Sequence, residues 1–208
     1  MLKGDIMDFS KSKTKENLAR AFVSECIDGA RYQFMAKDAK AKGYGYLYKQ
    51  MKLLATNEMA HASVFYDFIL CEGKKNCEPV QDGERIEICA SFPFTNYVLP
   101  ESLNLTSLNE KHESADIYKE FETTALEEGY KDVANAFHHV VQVENCHHLM
   151  LQEYYKKMSN DTLYCSKQIT KWKCSNCGTE IEDKKAPEVC PMCSYEQGYY
   201  MIPTSDEE

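Results

Sequence analysis

Apolar residues recur at helical spacing over residues 14–42, in a proline-free stretch rich in Ala, Glu, Lys and Arg, and the pattern predicts a first long helix there. Gly43 and Gly45 mark a turn, and a second helical pattern covers 48–70. A third pattern runs from 102 or 105 to 128, Gly129-Tyr130 interrupts it, and a fourth covers 132–158. Each pair joined by a short glycine-containing turn reads as an antiparallel hairpin. The connection over 71–100 differs. Its glycines, its prolines and a short alternation around Ile86 and Ile88 predict an extended crossover with room for one strand. Two helical hairpins joined by a long crossover make a mainly α, four-helix bundle, and that architecture by itself implies no chemistry.

The helical periodicity stops at 159–171. The C-terminal segment is rich in Cys, Gly, Pro and aromatics but too short for a conventional core, so a metal-stapled appendage is the economical reading. The expected division is a bundle domain over 1–165 and a small metal domain over 166–208. A chain of 208 residues has room for this and not for two large cores.

With 43% hydrophobic residues the chain can pack an interior, and its net charge of −9 argues against general nucleic-acid binding or attachment to anionic lipid. No apolar stretch approaches the roughly 20 residues that cross a bilayer. Met1-Leu2-Lys3-Gly4-Asp5-Ile6 lacks the basic and apolar regions of a signal peptide, so a cytoplasmic location is expected. The N-x-T matches at Asn104 and Asn160 then carry no glycosylation signal. Of ten cysteines, Cys26, Cys71, Cys77, Cys89, Cys146 and Cys165 are dispersed. A disulfide framework is disfavoured, and these six read as small hydrophobes or tolerated thiols of a reducing compartment.

Candidate chemistry sits on the helices. Glu58 with His61, and Glu144 with His147, are two Glu-x-x-His units, each on one helix face with about 4.5 Å of rise between its members. Glu25 on the first helix and Glu110 and Glu113 on the third supply further carboxylates. Depth aligns them. Glu25 lies 18 residues before Gly43, while Glu58 and His61 lie 15 and 18 after it. Glu110 and Glu113 lie 19 and 16 before Gly129, and Glu144 and His147 lie 15 and 18 after it. All seven side chains are thus expected about 23 to 29 Å from their turns, in one layer of the bundle. If the layer faces the core, as its apolar neighbours Ala21, Phe22, Val140 and Val141 suggest, five unpaired carboxylates would be costly there and two cations would balance them. The alternative is that the helices turn these acids to solvent. Seven oxygen and nitrogen ligands suit a binuclear site of iron or manganese better than a four-ligand structural zinc.

Cys174-Ser175-Asn176-Cys177 and Cys190-Pro191-Met192-Cys193 are two C-x2-C units with twelve residues between them, the spacing of a tetrahedral four-thiolate site. Zinc there would be structural; iron could exchange an electron. Trp172, Tyr195, Tyr199 and Tyr200 are expected to pack the small core around it. His138, His139, Cys146 and His148 share the fourth helix with the candidate ligands, but their helical phase makes them packing or surface residues.

Taken together, the segment Ala21-Phe22-Val23-Ser24-Glu25, the two Glu-x-x-His units and the terminal four cysteines resemble the rubrerythrin family across nearly the whole chain. The resemblance implies a ferritin-like di-iron bundle with a C-terminal rubredoxin-like domain. It implies that Glu25, Glu58, His61, Glu110, Glu113, Glu144 and His147 hold two irons, with Glu58 and Glu144 bridging. His61 and Glu113 correspond to groups that exchange on one iron, and Glu110 and His147 to ligands of the other. Tyr32 and Tyr118 match tyrosines that hydrogen-bond ligand carboxylates, and Cys174, Cys177, Cys190 and Cys193 hold a third iron. The implied activity is reduction of hydrogen peroxide to water, with electrons from a rubredoxin or an NAD(P)H-dependent reductase relayed through the four-cysteine iron, in a homodimer. A ferroxidase or iron-handling bundle is the alternative, and a zinc-stapled interaction module with a silent bundle is the reading from a different class.

Overall fold

A computed structural model describes residues 7–78 and 85–203. Four long helical rods form the bundle: α1 (Lys13–Ala41), α2 (Gly45–Leu70), a third rod made of α3 (Glu101–His112) and α4 (Tyr118–Glu127) joined by a π-helical segment (Glu113–Ile117), and α5 (Lys131–Ser159). The chain enters α1 through a well-capped start. Ser12 Oγ accepts from the Lys15 N–H, and the Glu128 carboxylate, arriving from the far end of α4, accepts from the N–H groups of Lys13 and Thr14 at 2.9 and 2.8 Å. An anion on those free N–H groups also complements the helix dipole.

Two apolar cores fill the bundle. One gathers Leu18, Ala21, Phe65, Phe68, Tyr118, Phe121 and Phe137 toward the α4–α5 turn. The other gathers Tyr32, Met35, Met51, Leu54, Leu103 and Leu151 toward the α1–α2 turn. On every rod the acids and histidines named above fall between the residues of one core and those of the other. The polar layer is therefore a slab closed above and below by hydrocarbon.

The third rod departs from a single regular helix. Between Glu110 and Tyr118 a regular helix would turn about 800°, carrying the tyrosine some 80° off the face of the glutamate. The wider π turn absorbs the excess, and Glu110, Glu113 and Tyr118 are all buried.

The crossover corrects two expectations. Over 85–98 there is no strand, and the alternation around Ile86 and Ile88 reflects an extended segment lying over the bundle surface; residues 79–84 lie outside the described part. A disulfide joins Cys71 to Cys77, against the reading of both as free thiols. The physical reason is local. The turn that ends α2 brings their Cα atoms to 5.7 Å, a closeness that sequence spacing alone does not reveal.

After α5 the chain forms a three-stranded antiparallel sheet in the order β2-β1-β3, from β1 (Cys165–Cys174), β2 (Glu180–Lys185) and β3 (Tyr200–Met201). Trp172, Tyr200, Ala186, Cys174 and Cys190 make its core, with Tyr199 half-buried, while Tyr195 is largely exposed and meets Tyr199 edge-on. The Trp172 indole N–H donates to the Asp183 carbonyl at 3.0 Å. This small domain seats on the α1–α2 turn. Gly198 packs so closely on Gly43 that a Cβ added to it would lie 1.7 Å from the Gly43 carbonyl oxygen, and Lys49 donates to the Ser175 carbonyl at 2.5 Å.

Candidate metal centres

The slab brings the predicted acids and histidines together in a specific way. His61 Nδ1 lies 3.1 Å from Glu25 Oε2, 3.3 Å from Glu58 Oε2 and 3.1 Å from Glu144 Oε1. His147 Nδ1 lies 2.9 Å from Glu58 Oε1, 3.0 Å from Glu144 Oε2 and 3.8 Å from Glu110 Oε2. Two groups result, Glu25-Glu58-His61-Glu144 and Glu58-Glu110-Glu144-His147, each with one ligand atom per residue and all within 4.8 Å of one another. Glu58 and Glu144 belong to both and turn one oxygen toward each.

A single imidazole N–H can serve one acceptor well, yet each Nδ1 faces three carboxylates. Glu58 Oε1 and Glu144 Oε1 remain buried without a hydrogen bond of good geometry. Such a convergence of buried acceptors fits a cation, and two of them fit a pair of cations sharing the bridging carboxylates. Oxygen and nitrogen donors in this number suit iron or manganese.

The protonation tendencies of the metal-free layer carry the same message. Burial, reinforced by the charge of Glu144, pushes the Glu25 and Glu110 carboxyls well above the usual range. Burial does the same to Glu113, with Asp28 adding to it. Glu58 and Glu144 are held low in spite of burial, by the imidazoles of His147 and His61. Burial would lower His61, but Glu144, Glu25 and Glu58 together raise it to about 12, and His147 is raised in the same way by Glu110, Glu144 and Glu58. Without a metal, the two histidines are the positive charges of the slab.

Tyr118 donates to Glu25 Oε1 at 2.5 Å, and Tyr32 donates to Glu110 Oε1; both tyrosines are fully buried. Burial and these carboxylates keep both phenols protonated, so each acts as a fixed donor that orients its acid. Glu113 stands apart. It is buried, but it accepts from Ser24 Oγ and belongs to neither group. It also lines a cavity of about 290 Å³ under the crossover, with Ser24, Arg31, Ala90, Pro93 and Tyr118.

Two residues that the structure brings to the layer, Asp28 and Ser24, have no role expected from the sequence. Asp28 is buried beside the slab, paired with Arg31, whose other guanidinium nitrogen donates to the Pro93 carbonyl. Burial raises its carboxyl to about 7 against the pull of Arg31. Its spacing of three from Glu25 is a signal that could have found it. Ser24, the partner of Glu113, carries no such signal. His138, His139 and Cys146 lie exposed and His148 binds the Ser107 carbonyl at 2.8 Å; none of the four belongs to the two groups, although His139 and Cys146 line a surface pocket together with His147.

The four terminal cysteines form a third group. Cys174 Sγ lies 3.8 Å from Cys193 Sγ, and Cys177 Sγ lies 3.6 Å from Cys190 Sγ. A tetrahedron with metal–sulfur bonds of about 2.3 Å has edges of about 3.8 Å, so the thiols stand where a metal would want them. Burial would raise the Cys190 thiol, but the Tyr200 hydroxyl and the N–H groups of Cys193 and Met192 bring it down to about 6.

Comparison with known proteins agrees with this geometry. Residues 16–162 match the Rubrerythrin family and residues 172–201 match the family described as Rubrerythrin, rubredoxin-like domain. Rubrerythrin-1 of Clostridium acetobutylicum is 35% identical, covering 92% of this chain and 94% of that one. Rubrerythrin of Porphyromonas gingivalis is 32% identical, covering 91% and 89%. Among solved structures, nigerythrin in its mixed-valence state is similar with a TM-score of 0.56 at 21% identity, over 96% of this chain and 94% of that one. A bacterioferritin of Desulfovibrio desulfuricans is similar over 72% of this chain and 82% of that one, with a TM-score of 0.58 at 21% identity, a likeness of fold. With its mainly helical ferritin-like bundle, its two buried acid–histidine groups and its small four-cysteine C-terminal domain, the chain belongs to the rubrerythrin family.

Proposed function

We propose that this protein is a non-haem di-iron peroxidase that reduces hydrogen peroxide to water, with electrons relayed through an iron held by Cys174, Cys177, Cys190 and Cys193. The observation that carries the reading is the arrangement of Glu58 and Glu144, each of which turns one oxygen toward His61 and the other toward His147. Two metals held by shared carboxylates between two apolar cores, attached to a one-electron thiolate centre, suit a two-electron reduction resupplied one electron at a time.

In this reading Glu25, Glu58, His61 and Glu144 hold one iron, and Glu58, Glu110, Glu144 and His147 hold the other. Bound there, the iron pair supplies the two electrons that cleavage of an oxygen–oxygen bond consumes. The chain does the rest. Tyr118 and Tyr32 fix Glu25 and Glu110, so the ligand set stays organised when its charge changes. The two apolar cores exclude bulk water, which strengthens every electrostatic interaction within the slab. The cavity that Glu113 lines is a route by which a small neutral oxidant reaches the layer, and Glu113, parked on Ser24, is a carboxylate held in reserve beside it.

The donor is a rubredoxin or an NAD(P)H-dependent reductase, and the working unit is a homodimer. Steady peroxide consumption by the iron-loaded protein with reduced rubredoxin supports the reading. Oxygen-driven accumulation of ferric mineral with no donor-dependent peroxide turnover would replace it with a ferroxidase.

A further inference from the structure

Two hydroxyls stand against the sulfurs of the four-cysteine group without any part in building the fold around it. Tyr200 is the first. It pairs across the sheet with Cys174 and packs in the core of the small domain with Cys174 and Cys190, 2% exposed. Its hydroxyl is buried and makes no hydrogen bond of good geometry, and the group it faces is the Cys190 thiol. A buried hydroxyl without an acceptor is unfavourable, and a phenylalanine would fill the same space at no such cost. A thiolate at Cys190 supplies the missing acceptor.

Thr179 is the second. Its Oγ1 lies 3.2 Å from Cys177 Sγ. In the free thiol either atom can donate; once Cys177 has lost its proton to a metal, only the threonine hydroxyl can. Backbone N–H groups also point at these sulfurs, as the turn of each C-x2-C unit requires, whereas the two hydroxyls are side-chain choices of this chain.

We infer that Tyr200 and Thr179 donate hydrogen bonds to the Cys190 and Cys177 thiolates of the bound iron and thereby raise its reduction potential. The inference rests on the proposal that this site holds iron. Four thiolates around ferric iron carry a net charge of −1, and one electron from the rubredoxin or reductase donor makes it −2 with no proton transferred. Donors aimed at sulfur stabilise the more negative state more, so they favour reduction. The two residues are positioning groups that set how readily the centre accepts an electron and how strongly it passes one on.

Potentiometric titration of the visible absorption of this iron, in the full-length iron-loaded protein, tests the inference. Tyr200→Phe keeps the ring and Thr179→Val keeps the shape. Both are expected to lower the potential, Tyr200→Phe by more because Cys190 is buried and Cys177 only partly so. The double variant should show roughly the sum, since the two donors serve different sulfurs. Thr179→Ser should restore most of the loss. Potentials equal to that of the parent protein in both single variants, with iron bound and the spectrum unchanged, would overturn the inference. Should Tyr200→Phe fail to hold iron, the Thr179 pair decides alone. A parent protein that takes up zinc and no iron at this site overturns the underlying reading instead.

Discussion

The bundle slab and the four-cysteine group solve the same problem at opposite ends of the chain's range. In the slab, the candidate ligands come from four rods and from positions as far apart as Glu25 and His147. Five buried carboxylates there are held against the ordinary cost of burying charge only because two apolar cores are already packed on either side. The cysteine group takes its ligands from two turns thirteen residues apart, and its soft thiolates stand at tetrahedral edge lengths in a sheet of three short strands. The slab is a product of the fold. The cysteine site, by contrast, is a staple on which its small domain depends.

The sharpest way to separate the two regions is to remove a shared carboxylate. Glu58→Ala or Glu144→Ala takes a donor from both groups at once and is expected to abolish metal loading of the slab and lower peroxide turnover by more than about 100-fold, since loss of mere outer partners already costs 10–100-fold. Absorption of the four-cysteine iron should persist. Normal loading and turnover in both variants would refute the assignment. The reciprocal change, Cys177→Ser, should remove the terminal iron and donor-linked turnover, yet leave a single oxidation of the pre-reduced slab by peroxide intact. Stopped-flow oxidation beside steady-state rates checks it.

A smaller effect is expected from the tyrosines. Tyr118→Phe leaves Glu25 without its 2.5 Å donor and should weaken slab metal affinity or activity by about 10- to 100-fold, with no change at the cysteines. The smallest concerns the metal-free protein. Glu25, Glu110 and Glu113 have carboxyls raised by burial, Asp28 is raised to about 7, and His61 is raised to about 12. Each binds its proton more tightly folded than unfolded, so each contributes stability that is lost as pH rises. Glu58 and Glu144, held low, are ionised in both states above the usual carboxylate range, so their stabilisation is constant there and adds no pH dependence. Between pH 5 and 8 the metal-free protein should therefore lose stability, with a melting temperature falling by roughly 5 °C. Loaded protein should not behave this way, because its metals require the acids ionised. A melting temperature of the metal-free protein that rises over that interval would contradict the burial of these acids.

Much of this arrangement was legible in the chain. Counting residues from Gly43 and Gly129 placed seven side chains at a common depth, because helices of fixed rise leave little freedom once a hairpin turn is located. Six of the seven meet in the two groups. Glu113 does not, because its rotamer is decided by Ser24 across the helix interface, and no spacing rule contains that contact. The π segment was likewise invisible, since one extra residue in a turn alters no periodicity that a window of eleven residues can resolve. The Cys71–Cys77 bridge depended on the shape of a single turn, and the seating of the small domain on a close approach of Gly198 to Gly43. The C-x2-C units needed none of this, for a local site announces itself in local sequence.

The central claim is that two irons in the slab and one at the cysteines act together on peroxide, and metal quantification combined with anaerobic titration of the reduced protein tests it most directly. The account predicts about three irons per chain, with one equivalent of hydrogen peroxide oxidising the slab pair. One zinc per chain, with a slab that takes up no metal and does not respond to peroxide, would contradict it.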